Sequence, residues 1–403
     1  MKPNRRHFFL AGSAMAVSHA MPSDQLTLGL IGAGGRGKFV MSVFQKDAAL
    51  RVGAICDVYE PNLEEGLSLA SKVAGAHPTA YRNYKKLLDD KRVNAVLIAT
   101  PEHWHHRMVL DAIAAGKDVY VEKPLCQTPE QGVELVAAEK TTKQIIQVGM
   151  QRRSYDLYIE GSQIVAGGTL GKVRMVRSWW LNNYIGGGGT PSQSKLAGPL
   201  DWEQWQGPAK TRIPLNPDRF RHWRNYRDYA GGIVADQGAH VFDGIHLLMN
   251  ASYPLAVNAS GGKPHREGFD TPESVVAIAE YPEDFIAVFS INYAAMKYKS
   301  KNDQLNQLDG DKGRMDIGRE DCKVFMQGNE ETPAIASTSK RGFGYATDLH
   351  VQNFLDCVRT RKRPTAPMVL AFQAALVVQM ANMSLREGRR FKWNAKLSKV
   401  ESA

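Results

Sequence analysis

The stretch that most narrows the possible folds is Leu26 to Gly37, LTLGLIGAGGRG, an apolar run that breaks directly into closely spaced glycines. Gly32, Gly34 and Gly37 fit G-x-G-x-x-G, a spacing that carries meaning only between a strand and a helix. Gly32 permits the tight turn, Gly34 lets backbone approach a pyrophosphate, and Gly37 lets helix and strand pack closely. A second apolar run, RVGAIC (51–56), ends on Asp57. A carboxylate there can accept hydrogen bonds from ribose hydroxyls and repel a 2′-phosphate. These positions predict a dinucleotide site made by Gly32, Gly34, Gly35, Arg36, Gly37 and Asp57, with NAD favoured. Arg36 keeps NADP open, because its guanidinium could pair with a diphosphate or a 2′-phosphate.

From 24 to 149 apolar runs alternate with helical patterns, the signature of a parallel sheet with helices on both faces. VNAVLIAT (93–100) is apolar throughout, as for a strand buried on both sides. Ala115-Gly116 closes the helix after it, and VYVEKPL (119–125) reads as the fifth strand. Thr128 to Gln131 is a capping box with Pro129 at the first helical position, and QIIQVG (144–149) is a sixth strand. The pattern then changes. A helix is expected over Arg152–Ala166, and strands from Val173. SVVAIAEY (274–281) and FIAVFSINY (285–293) form a hairpin, and two late helices span Asp348–Arg359 and about Val369–Arg386. The expected fold is α/β. An N-terminal Rossmann domain, a doubly wound parallel sheet, spans 24–149. A C-terminal α+β domain, 150–403, has an open, mainly antiparallel sheet for substrate and oligomer contacts. The Gly/Pro-rich stretch 186–217 reads as a long functional loop.

With 403 residues, 43% hydrophobic and 23% charged, the chain can bury two sizeable cores. Its net charge of +10 comes without a Lys/Arg block interleaved with aromatics, so a small anionic or polyhydroxylated ligand suits it and nucleic acid does not. Three of the positive charges, Lys2, Arg5 and Arg6, lie in a leader whose apolar run ends at Ser18-His19-Ala20. Residues 1–20 resemble a twin-arginine export signal, with Asn4 where Ser or Thr is usual, and predict export of the folded protein to the periplasm. No other segment reads as a membrane span. Cys56, Cys126, Cys322 and Cys357 lack paired or zinc-type spacing and are expected as buried thiols.

In an open α/β sheet, ligands sit at the carboxyl ends of the strands. Thr100, Pro101 and His105 follow the fourth strand there, and Glu122 and Lys123 follow the fifth. A charged pair at a buried strand end is costly unless the site uses it, which marks Lys123 as the chemical centre. His103, His105 and His106 lack metal-ligand spacing, so no metal is expected, and His105 is placed near cofactor or substrate. Asp236 and His240, four apart at the start of an apolar helix, share a face, where the carboxylate can hold the imidazole's tautomer for a proton relay. Trp179, Trp180, Trp202, Trp205 and Trp223 cluster around the long loop. They could stack on sugars, with Arg219, Arg221 and Arg224 binding hydroxyls or carboxylates, or they could plug the loop into the domain.

Taken in order, GAGGRG, ATPEHWH, VYVEKPL and GGIVADQGAH resemble the Gfo/Idh/MocA family of sugar and cyclitol dehydrogenases, as do the closing FLDCVRTRKRP and MSLREGRRF. The resemblance implies a nicotinamide-binding Rossmann domain and a homodimer or homotetramer built on the second domain. It matches Lys123 to the active-site lysine, Asp236 and His240 to the catalytic pair, and His105 to a histidine beside the nicotinamide. Arg152, Tyr155 and Trp223 are expected with these three on the substrate. In the expected reaction Lys123 hydrogen-bonds a carbohydrate hydroxyl and His240 removes its proton as hydride passes to a tightly held cofactor. A redox-neutral glycosidase or lyase acting through transient sugar oxidation is the alternative, and a non-catalytic sugar-binding protein a second.

Overall fold

The computed structural model describes residues 25–73, 77–182, 195–296 and 304–403, so the leader and residues 183–194 of the long loop lie outside it. Its first half is a parallel sheet of β1 (Leu26–Ile31), β2 (Leu50–Cys56), β3 (Thr79–Tyr81), β4 (Ala95–Ile98), β5 (Asp118–Val121) and β6 (Ile146–Val148). The strand order is β3-β2-β1-β4-β5-β6. Connecting helices are α1 (Gly35–Phe44), α2 (Glu60–Ala70), α3 (Tyr84–Asp89), α4 (Glu102–Ala114) and α5 (Pro129–Thr141). β1 and β4 are parallel neighbours at the point where the strand order switches from one side of the sheet to the other, so a crevice opens where Gly32 and Thr100 leave adjacent strands. Gly32 holds φ +90°, and a Cβ there would lie 2.8 Å from the Ala99 carbonyl carbon, so glycine is required. At the start of α5, Thr128 and Gln131 make both bonds of the expected capping box.

The second half begins with α6 (Asp156–Ala166) and β7 (Val173–Leu181), then α7 (Trp202–Gln206), α8 (Pro217–Arg221) and α9 (Gly232–Met249). The strands β8 (Ala256–Gly261), β9 (Ser274–Tyr281), β10 (Phe285–Asn292), β11 (Gln304–Gly310), β12 (Gly313–Ile317), β13 (Asp321–Met326) and β14 (Ile335–Thr338) follow. Helices α10 (Tyr345–Thr360) and α11 (Met368–Glu387) lead to β15 (Phe391–Asn394) and β16 (Lys399–Ser402). These strands and β7 form one ten-stranded sheet, antiparallel except where β7 lies parallel to β10. Residues alternate between buried and more exposed along β9 and β10, as on a sheet covered on one side. Helices α6, α9 and α11 pack against this sheet. Met175, Val276 and Ile278 remain exposed.

Several expectations shift. The helix foreseen from Arg152 is instead a single 3-10 turn, Gln151–Ser154, with α6 starting after an extended Tyr155. The break follows from long-range bonds, because Arg153 is drawn to Asp243 at 2.5 Å and Ser154 to His350 at 2.7 Å. Helix α11, 20 residues long with mean hydropathy 1.6, has the length and composition of a membrane span, against the expectation of none beyond the leader. It is apolar because it is a core helix, packed against α5, α9 and β8. Within the described part of the loop, Trp202 and Trp205 stack at 4.7 Å and join Tyr226 and Tyr229 in a separate apolar cluster, so these two tryptophans plug the loop. All four cysteines are buried free thiols.

The two halves exchange parts. Val351, Phe354 and Leu355 of α10 join the apolar core on one face of the first sheet. The Phe354 ring meets Phe44 and Tyr120 edge-on, each at 5.8 Å. Arg361, just past α10, grips Asp118 of β5 through two 2.9 Å bonds. Residue 149 therefore divides the chain but not the packing.

Candidate active site

The glycine turn makes a cradle. A Cβ on Gly37 would lie 2.0 Å from the Gly32 carbonyl oxygen, whereas Gly34 and Gly35 face open space. Asp57 holds the turn from the side, accepting from the Ala33 N–H at 2.7 Å and the Tyr59 N–H at 2.9 Å. A cavity of about 350 Å³ lies over it, lined among others by Gly34, Gly35, Asp57, Thr100, Pro101 and Trp223. Open glycines at the start of α1 beside a carboxylate at the end of β2 fit a dinucleotide, with its pyrophosphate over Gly34 and Gly35. Arg36 and Glu122, both expected on the cofactor, engage each other: Arg36 Nε donates to the nearly buried Glu122 carboxylate at 2.8 Å, and Arg36 also lines the cavity. The carboxylate at a buried strand end needs a cation, and Arg36 supplies it.

His105 lies beneath the site rather than in it. It is 1% exposed, and its ring nitrogens face the Pro124 carbonyl at 2.7 Å and the Thr100 carbonyl at 2.9 Å. It thus ties the end of β4 to the segment after β5. His103 faces the Trp205 carbonyl and His106 faces Glu134. The three histidines point to different partners, and among the described residues no group of three or more acidic, His or Cys side chains could hold a metal.

The two halves meet at Lys123. Its Nζ donates to both the carbonyl and the Oδ1 of Asp236, each at 2.7 Å, with both side chains less than 15% exposed. Gln237 Nε2 donates to Asp236 Oδ2 at 2.9 Å, and Arg224 Nε lies 3.4 Å from Oδ1. Burial alone would raise the Asp236 pKa, but Lys123 and Arg224 hold it well below the usual carboxylate range. The expected Asp236–His240 hydrogen bond is absent among the described residues. The lysine and Gln237 occupy the two carboxylate oxygens, displacing the weaker attraction of a helix neighbour. Burial, then the positive fields of Lys123, Arg152 and Arg36, push the His240 pKa well below its ordinary value, so the ring is neutral near pH 7.

Arg152 is 1% exposed, donating to the His240 carbonyl at 3.0 Å with its guanidinium 5.1 Å from the Tyr158 ring centre. It braces α9 at His240. Tyr155 does not join this group: its hydroxyl donates to the Arg319 carbonyl at 2.9 Å, and its ring borders a different cavity. Trp223 does reach the cradle cavity, beneath the Arg224 guanidinium at 4.2 Å. Sequence reasoning missed Glu102. It is 3% exposed, accepts from the Gly231 N–H at 2.9 Å just before α9, and burial pushes its pKa up to about 7. The signal was an acid at the first position of a helix on the ligand edge of the sheet.

Residues 26–150 match the NAD-binding Rossmann domain of an oxidoreductase family, and residues 201–393 match the same family's C-terminal alpha/beta domain. The chain belongs to the Gfo/Idh/MocA oxidoreductases. Among relatives, an uncharacterised oxidoreductase of Synechocystis is 24% identical over 286 residues, 65% of each chain. An inositol 2-dehydrogenase of Klebsiella pneumoniae is 31% identical over 163 residues, 40% of this chain and 47% of the relative. The matched segments thus span less than two thirds of these curated relatives. A levoglucosan dehydrogenase solved with NADH and levoglucosan superposes with a TM-score of 0.69 at 18% identity, covering 94% of this chain and 99% of that one. As a Gfo/Idh/MocA protein the chain carries an NAD-binding fold, and the open cradle at Gly34 and Gly35 is where the family's cofactor fits.

Proposed function

We propose that this protein is an NAD-dependent oxidoreductase of a sugar or cyclitol, with Lys123, Asp236 and His240 as its catalytic group. The observation that carries this reading is the 2.7 Å contact between Lys123 of the cofactor half and Asp236 of the other, one helical turn from a neutral imidazole. An ammonium has three hydrogens, and two are taken by Asp236, so one remains for a substrate oxygen. That bond, in the field of Lys123 and Arg152, stabilises the negative charge an alcohol develops as it loses its proton. His240, neutral near pH 7, accepts that proton as general base. Asp236 acts on Lys123, fixing the ammonium's place and charge. The nicotinamide, when bound, takes or supplies the hydride. Asp57 favours NAD over NADP, since a 2′-phosphate would meet its carboxylate.

The inositol dehydrogenase and the levoglucosan enzyme support a polyhydroxylated substrate. The leader supports export, and because free NAD is scarce outside the cytoplasm, the cofactor is held tightly and cycles on the protein. Exposed Met175, Val276 and Ile278 on the second sheet support a homodimer or homotetramer through that face. To test the reading, purified protein is denatured and its released nucleotide assayed. Native protein is then followed at the reduced-nicotinamide band while aldoses, uronates, cyclitols and glycosides are added. Near-stoichiometric NAD and a spectral change with at least one polyol are expected. No change with any of them would sink the dehydrogenase, and aglycone release without net reduction would replace it with a redox-neutral reaction.

A further inference from the structure

The described part of the tryptophan-rich stretch is fastened to both sides of the dinucleotide cleft. At the β2–α2 connection, Glu60 N–H donates to the Pro199 carbonyl at 3.0 Å and Asp201 N–H to the Val58 carbonyl at 2.9 Å, so Tyr59 and Leu200 face each other across an antiparallel bridge. Ala197 N–H donates to the Tyr59 hydroxyl at 3.0 Å, and the Tyr59 ring meets that of Phe220 edge-on at 5.0 Å. On the side of α4, His103 Nε2 and Trp104 Nε1 both donate to the Trp205 carbonyl, at 3.1 Å and 2.9 Å. His103 N–H also donates to the Tyr229 carbonyl at 3.3 Å, and Gly231 N–H to Glu102 at 2.9 Å. The cavity over the glycine turn therefore has a floor that includes Gly35, Asp57 and Thr100 and a roof that includes Trp205, Phe220 and Trp223.

The roof is built to move as one piece. Trp202, Trp205, Ala209, Tyr226 and Tyr229 form an apolar cluster of their own, outside the two large cores. Its two attachments differ in kind. At α4 it is rooted, because Tyr229 leads into α9, and Gly207, at φ +44°, lies so near the Trp104 ring that a Cβ there would be 1.9 Å from it. At Tyr59 it is held by the hydrogen bonds and the ring pair given above, between residues that are half-buried or exposed. Contacts of that kind open first. They join protein groups to one another, and Tyr59 is not among the residues lining the cavity. Opening them therefore speeds passage of a ligand in both directions, whereas loss of a ligand contact speeds release alone. We propose that Ala197–Asp201 is a latch on the cofactor site. While it is closed on Tyr59 the dinucleotide neither enters nor leaves, so a bound cofactor stays through successive turnovers. The latch rests on the reading of the cleft as an NAD site.

The test follows nucleotide exchange on the full chain. Bound NADH is read by energy transfer from the indoles of Trp205 and Trp223 over the cleft. Release is timed by chasing with excess NAD, and entry by mixing NADH with nucleotide-depleted protein. Tyr59→Ala removes the ring pair and the hydroxyl, and is expected to speed entry and release alike, each about tenfold, with the dissociation constant held within about threefold. The opposite change locks the latch. Tyr59 and Leu200 form a non-hydrogen-bonded pair, whose Cα atoms lie about 4.5 Å apart in an antiparallel bridge, close enough for a disulfide. Tyr59→Cys combined with Leu200→Cys, loaded with NADH and oxidised with glutathione disulfide, should release it at least about tenfold more slowly than the same protein after dithiothreitol. Disulfide closure is checked by thiol titration, and recovery on reduction shows that the double variant is folded. Faster release with unchanged entry would make Tyr59 an ordinary binding contact and overturn the latch. So would exchange unaffected by both Tyr59→Ala and the closed disulfide. Unmodified protein that binds no NADH would instead overturn the reading of the cleft itself.

Discussion

The six-stranded sheet is closed on both faces, one of them by α10 from far along the chain, while the ten-stranded sheet carries helices on one face and leaves residues such as Val276 and Ile278 of the other exposed. The closed sheet offers a rigid edge, and Gly32, Thr100 and Lys123 leave it at fixed positions. The half-open sheet offers a helix, α9, whose Asp236 reaches across to that edge, and a flat surface free to associate. Cofactor recognition thus belongs to one sheet, whereas the proposed chemical group, with its Lys123–Asp236 contact, exists only where the two are docked.

The strongest way to break this comparison is Lys123→Ala. It should lower kcat about 10³-fold or more while leaving the NAD dissociation constant within about threefold, read by steady-state kinetics and by fluorescence titration. A matching loss of NAD affinity would show that the two tasks are not divided between the sheets. Next in size is Phe354→Ala, which opens a cavity among Phe44, Tyr120 and α10. It should cost about 3–5 kcal/mol in denaturant unfolding followed through loss of NAD binding. Ile278→Asp, on the exposed face, should leave that transition in place and shift sedimentation toward smaller species. Equal destabilisation by both would erase the distinction between closed and open faces.

The smallest effect concerns acid. Burial holds His103 and His350 down to about 4 and His246 to about 3. Below about pH 6.5 the unfolded chain takes up protons that these folded sites refuse, so stability falls as pH drops from about 6.5 toward 4. Each site contributes up to about 2 kcal/mol of that loss by pH 5. His246, bonded to the Tyr281 hydroxyl at 2.8 Å, reports on the second sheet. His246→Gln should flatten the acid limb of a urea-midpoint profile, and an unchanged limb would remove this site from the balance.

What could be read from the sequence was local. The glycine turn, the Thr128 capping box and the Tyr281–Phe285 hairpin each depend on neighbours a few residues apart, and each stands where its pattern placed it. The partners of the charged groups were not legible. Arg36 meets Glu122, and Asp236 meets Lys123 rather than His240, because charges brought together by folding compete with neighbours in the chain. Spacing said that Asp236 and His240 share a helix face but not which cation would arrive there first. Tyr155 was misplaced for a related reason: the two bonds that end the 3-10 turn reach Asp243 and His350, far away in sequence.

The placement of α10 also sets an order of events during synthesis. Phe44 and Tyr120 leave the ribosome long before Phe354, which packs against both. A nascent chain that ends after β6 therefore has all six strands of the nucleotide-binding sheet but lacks one wall of its core, and holds aromatic side chains against water or chaperone. Firm capture of the dinucleotide then follows completion of nearly the whole polypeptide, and an isolated N-terminal fragment is an aggregation-prone half-core.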